Sequence, residues 1–140
     1  MKFESCLKNQ REIQALLPDS QEEMYAKIIE LGRTLPLYPE SAKTEHHLVK
    51  GCQSRLYLLT EQKEEKLYFQ TCSDALISAG LAALLLKIYN GESPEAVVRC
   101  PPHVLKEIGL FRILSPGRSN GMKSLYQKMQ QEAMSYYVNP

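Results

Sequence analysis

From Ala75 to Tyr89 the chain is apolar or small at almost every position, and Lys87 is its only charge. A helix with no polar face has nothing to offer water, so this segment must lie inside a fold. Its longest unbroken apolar run, Leu81 to Leu86, is far short of the roughly 20 residues that cross a bilayer. The segment is therefore read as the buried central helix, capped at its start by Ser73 or Asp74 and ended by Asn90-Gly91. A chain of 140 residues has room for one domain, taken as residues 1–140, around such a core. Its apolar and charged fractions, 44% and 24%, are those of an ordinary globular protein.

Helical patterns flank this centre. The first twenty residues place Phe3, Leu7, Ile13, Leu16 and Leu17 on an apolar face that stops at Pro18. A second helix opens with Ser20 and Glu23 in capping-box spacing and presents Met24, Ile28 and Leu31 at i, i+4, i+7, with Gly32 read as its C-cap. Pro36 and Pro39 prevent a helix over Leu35 to Glu45. The period then changes: His47 to Lys50 reads as a short strand, Arg55 to Thr60 as a clearer one, and Leu67 to Thr71 as a third. Gly51-Cys52-Gln53 is the first turn and the charged stretch Glu61 to Lys66 a solvated loop. Close connections favour an antiparallel meander. Ser93-Pro94-Glu95 opens a short helix, another follows Pro101-Pro102 and ends at Gly109, and a last one begins near Ser119 with Met122, Leu125, Met129 and Ala133 inward. The predicted class is α+β, a small three-stranded antiparallel sheet packed against helices.

The formal net charge of +1 carries no basic footprint for nucleic acid, and neither a nucleic-acid nor a membrane partner is expected. Met1-Lys2-Phe3-Glu4 is not followed by an apolar signal core, so a cytoplasmic protein with reduced thiols is expected. The four cysteines, Cys6, Cys52, Cys72 and Cys100, form no C-x-x-C pair of the kind that announces a zinc site. Cys6, Cys72 and Cys100 are read as small buried hydrophobes.

Cys52 differs by its position. It sits in a turn between strands, after a glycine that permits close approach of another molecule and before the polar Gln53 and Ser54. Arg55, His46 and His47 are near in sequence, and cations favour the nucleophilic thiolate. On the residues alone two readings stand, a reactive thiol and a passive turn cysteine.

The segment Val49-Lys50-Gly51-Cys52-Gln53-Ser54-Arg55-Leu56-Tyr57 resembles the G-C-Q-S loop of the SufE family of sulfur acceptors. Three further blocks resemble that family in the same order: Ile28-Ile29-Glu30-Leu31-Gly32 with Leu35-Pro36, Ser73-Asp74-Ala75 with Gly80-Leu81, and Leu114-Ser115-Pro116-Gly117-Arg118-Ser119-Asn120-Gly121. Together they span about residues 20 to 130.

The resemblance implies a SufE/IscU-like fold and a persulfide carrier that is not itself an enzyme. A SufS-type cysteine desulfurase, which holds the pyridoxal phosphate, would pass sulfur from its own persulfide to Cys52 by thiol exchange. The carrier would stimulate the desulfurase and deliver sulfur to a SufBCD-type iron–sulfur cluster scaffold. No cofactor or metal of its own is implied, and monomer and homodimer stay open. Gly51, Gln53 and Ser54 would shape the loop. Arg118 has two readings: a residue near the Cys52 loop that contacts the partner or favours the sulfur anion, and a turn cap before the last helix. Asp74 is read first as a helix cap, with a place near the reactive loop as the second reading. Cys72 is not required by the family pattern and is read as a passive strand-end residue, with a resolving thiol as the alternative.

Two other classes compete. An iron–sulfur scaffold or metal-binding protein of IscU-like fold needs several converging thiolates. A cysteine hydrolase using Cys52 with His46, His47 or His103 needs a fixed base and an oxyanion site, and no spacing announces either.

Overall fold

The apolar segment forms α3 (Leu76–Tyr89), with Ile77, Leu81, Leu84, Leu85, Ile88 and Tyr89 buried, in a computed structural model of the protein that describes residues 3–138. Met1, Lys2, Asn139 and Pro140 lie outside the described residues, and so does the reading that rests on the first two. Helices α1 (Glu4–Leu16) and α2 (Gln21–Arg33), strand β2 (Lys66–Ser73) and the long α7 (Pro116–Val138) all pack against α3. Each fully buried leucine of α3 contributes about 1.5–3 kcal/mol of hydrophobic stabilisation.

The local signals of α2 act as their chemistry requires. Ser20 Oγ accepts the Glu23 N–H at 3.1 Å, and Met24, Ile28 and Leu31 face the core. Gly32 corrects the expected C-cap: it lies within α2, whose C-cap is Thr34. A Cβ at Gly32 would stand 2.7 Å from the backbone nitrogen of Gly80, and one at Gly80 would collide with the Ile28 backbone. Glycine is required here because the α2 and α3 backbones touch, an approach that any side chain would block.

Among the described residues the sheet has two strands, not three. Strand β1 (Leu56–Lys63) pairs antiparallel with β2 from Leu56↔Ser73 to Lys63↔Lys66. The segment expected to be the first strand forms a 3-10 turn over Glu45–His47 and then a single bridge, Leu48↔Tyr57. The Val49 N–H still bonds the Leu56 carbonyl at 2.8 Å, and Gly51, at φ 89°, turns the chain two residues later. The expected loop over Glu61 to Lys66 shrinks to Glu64-Glu65, both at positive φ (50° and 68°). Positive φ at both central residues matches the twist of a tight hairpin, a geometry usually announced by Asn-Gly.

Beyond α3, Ser93 caps α4 (Pro94–Arg99) by accepting the Ala96 N–H. Helix α5 (Val104–Glu107) ends with Ile108 as its C-cap, just before the expected Gly109, which at φ 77° is the N-cap of an unexpected turn, α6 (Leu110–Ile113). Helix α7 begins at Pro116, earlier than expected, and buries Met122, Leu125, Met129 and Ala133. Among the described residues no helix is long and apolar enough to cross a membrane.

Candidate functional site

Cys52 lies in the loop between the Leu48 bridge and β1, and this loop is seated on one face of α7. A Cβ at Gly121 would lie 2.8 Å from the Cys52 sulfur, and one at Gly117, a turn earlier, would collide with the Gln53 amide. Gly51, at φ 89°, has its own open side against Ser124 Oγ, 2.7 Å from where a Cβ would be. Two glycines on α7 therefore make a shallow seat, and a third lets the loop turn into it. Helical glycine costs about 1 kcal/mol relative to alanine, so the i, i+4 pair Gly117 and Gly121 is the sequence signal that marks this contact.

The base of the loop is closed by Asp74. Its Oδ1 accepts the Arg55 N–H at 3.0 Å, and its own N–H bonds the Arg55 carbonyl at 3.3 Å. This corrects the helix-cap reading: the N-cap of α3 is Ala75, and no side chain caps it. Ser73 Oγ instead accepts the Ala75 N–H at 3.2 Å.

The Cys52 sulfur is half-buried and lies between two cavities. The outer one, about 130 Å³, is lined by Gln53, Ser54, Ala75, Ser78, Gly117 and Arg118. The inner one, about 10 Å³, is walled by apolar groups, among them Leu56, Leu81 and Leu125, with Ser78 and Arg118 at its edge. At the lower limit of what holds one water, about 10–15 Å³, the inner space leaves an added atom little room. The outer one is roomy. It is bordered by Arg118, a cationic residue, and by Ala75 and Ser78 at the start of α3, the positive end of that helix. Ser54 Oγ lies 3.4 Å from the sulfur and 2.9 Å from Ser78 Oγ.

The structure thus brings Gly51, Gln53, Ser54 and Arg118 to Cys52 and sets Asp74 at the loop's hinge. Arg118 is a cavity residue, and its backbone N–H also bonds Ser115 Oγ. The cations expected from sequence are elsewhere. His46 lines a larger groove of about 460 Å³ with Lys50, Ser124 and Lys128, and His47 pairs with Thr44. Arg55 lines a separate cavity of about 320 Å³ with Lys43, Tyr57 and Cys72. Strand alternation puts Cys72 on the opposite pleat from Ser73, and burial pushes its thiol pKa up against the opposing pull of Lys43. Cys6 and Cys100 are buried in the core, where both touch the Gln10 amide. His103 is exposed beside Glu107. Among the described residues no three of His, Cys, Asp or Glu are grouped to hold a metal ion.

Comparison with known proteins shows the family. The SufE family, described as an Fe-S metabolism associated domain, matches residues 10–133. The chain belongs to the SufE family. A SufE-like protein of Rhizobium meliloti (strain 1021) is 35% identical over 120 residues, covering 82% of this chain and 86% of that one. A SufE-like protein of Synechocystis sp. is 31% identical, covering 81% of this chain and 72% of that one. SufE-like protein 1, chloroplastic/mitochondrial, of Arabidopsis thaliana is also 31% identical, over 81% of this chain and 31% of its own length. The solution structure of a hypothetical protein from Thermus thermophilus superposes with a TM-score of 0.77 at 22% identity, covering 96% of this chain and 97% of that one, and so shares the SufE-like fold. Family membership places the chain in iron–sulfur metabolism.

Proposed function

We propose that Cys52 carries sulfur as a persulfide between a cysteine desulfurase and iron–sulfur cluster assembly. The observation that supports this most is a loop thiol in a SufE chain, half-buried beside a cavity that ends in Arg118 and the start of α3. The Cys52 thiolate attacks the terminal sulfur of the desulfurase persulfide. A new sulfur–sulfur bond forms, the old one breaks, and the desulfurase leaves as its thiolate, with no net oxidation. Delivery is the same exchange with a downstream acceptor thiol, for which a SufBCD-type scaffold is the partner we propose. By clearing the desulfurase of its product persulfide, the carrier speeds turnover without being the enzyme, and the pyridoxal phosphate stays with the partner.

The working unit we propose is one SufE-like domain over residues 1–140, acting in the cytosol, where thiols stay reduced. The scaffold reading is less favoured because Cys6, Cys72 and Cys100 lie apart from Cys52, in the core and in a separate cavity, whereas a cluster draws several thiolates to one point. The test is sulfide release by a SufS-type desulfurase supplied with cysteine and a reductant. Wild-type protein is expected to accelerate it and Cys52→Ser to leave it at the basal rate; acceleration by both proteins would overturn the proposal.

A further inference from the structure

Three serine hydroxyls from three different elements meet beside the Cys52 sulfur. Ser54, in the loop, is 3.4 Å from Sγ; Ser78, in the first turn of α3, is 2.9 Å from Ser54 Oγ; Ser73, at the end of β2, is 3.5 Å from Ser54 Oγ. Ser73 already accepts the Ala75 N–H, so its own proton is available to Ser54. A hydroxyl has one proton and two lone pairs, and its proton rotates to suit its neighbours. If Ser78 and Ser73 both donate to Ser54, its lone pairs are filled and its proton has one acceptor left, the sulfur.

We propose that Ser78 is a positioning residue that acts through Ser54 to stabilise the anionic form of Cys52. In the thiol state Cys52 donates to Ser54, and Ser54 to Ser78. When the thiol proton leaves to water, both hydroxyls turn without any heavy atom moving: Ser78 donates to Ser54 and Ser54 to the thiolate. The hydrogen-bond chain thus accommodates either charge state of the sulfur while the loop stays seated. Hydrogen bonds to a charged partner are the stronger kind, so the second pattern favours the nucleophile. Ser78 also lines both cavities beside Cys52. The inference deepens the proposed role and rests on Cys52 being the reactive thiol.

The test uses the isolated full chain, without a desulfurase, so it can fail independently of the carrier function. Cys52 alkylation by iodoacetamide is followed by peptide mass over pH 6–10. Ser78→Ala is expected to raise the pH of half-maximal rate and to slow alkylation at pH 7 by about threefold to tenfold, the effect of weakening one hydrogen bond to an anion. Ser78→Thr, which keeps the hydroxyl, is expected to restore the wild-type profile. In the double variant Ser54→Ala/Ser78→Ala the second substitution should add nothing, because Ser78 acts only through Ser54. An unchanged profile in Ser78→Ala, a failure of Ser78→Thr to rescue, or additive shifts in the double variant would each overturn the proposal. Thermal unfolding of every variant separates this from a folding defect: a lower midpoint with an unmoved pH profile also counts against it.

Discussion

The sulfur of Cys52 rests against the backbone of Gly121, so closely that a Cβ at that glycine would lie 2.8 Å from Sγ. Non-bonded carbon and sulfur do not sit that close, so Gly121→Ala must displace the sulfur, the loop or the α7 backbone. The loop and the side chain it carries yield more readily than the helix, because they lie outside any regular element. The expected outcome is Cys52 alkylation at fixed pH several times faster than in wild type, with Cys72 alkylation unchanged. Equal or slower alkylation of Cys52 would mean that Gly121 does not seat the sulfur.

Asp74 holds the other end of the same loop through the Arg55 N–H. Removing the acceptor with Asp74→Ala should cost about 0.5–1.5 kcal/mol of stability and speed hydrogen exchange at the Arg55 amide by a similar factor, about twofold to tenfold. Asp74→Asn keeps an oxygen at the site and should recover most of both. If exchange at Arg55 is unaffected while the start of α3 frays, Asp74 is a helix cap after all.

Alkaline pH probes the wall that flanks the strand pair. Tyr38 is buried and donates to the Ala42 carbonyl at 3.0 Å. Burial, reinforced by the charges of Cys72, Glu132 and Tyr57, pushes its pKa up to about 12. The unfolded chain releases this proton near pH 10 and the folded chain near 12, so the unfolded state binds fewer protons in between and stability falls as pH rises. The loss is on the order of 2–3 kcal/mol across that window. Tyr89, more deeply buried and also shifted upward, adds to the same slope. Tyr38→Phe should therefore be less stable than wild type at neutral pH, from the lost hydrogen bond, and should lose less between pH 10 and 12. Parallel pH profiles for the two proteins would contradict this.

Much of the architecture is legible in single residues. Ser20 and Ser93 cap the helices that their spacing announces, and the apolar run over 76–89 is the centre of the fold, save that Leu76 at its start is 56% exposed. Tertiary contacts decided the features that sequence misread. Gly32 looks like a helix end because glycine commonly is one, yet its partner is Gly80, 48 positions away and invisible to local reasoning. Glu64-Glu65 carries no turn signature, and the register of β1 on β2 imposes the tight hairpin. At the site, the G-C-Q-S loop singles out Cys52, but sequence proximity suggested Arg55 and the histidines as its cations. Arg55 shares a cavity with Cys72, and the cationic residue that lines the cavities at Cys52 is Arg118, 66 positions on. Ser78 gave no signal at all, being one small polar residue in an apolar helix.

The central claim is that sulfur lands on Cys52, and mass spectrometry reads it directly. The protein is incubated with a SufS-type desulfurase and cysteine without reductant, separated, alkylated and mapped by peptide mass. The account predicts a gain of one sulfur atom on the peptide that contains Cys52, retained in Cys72→Ala and absent in Cys52→Ser. Sulfur on Cys72 instead, or no gain on any cysteine while the desulfurase turns over, would contradict it.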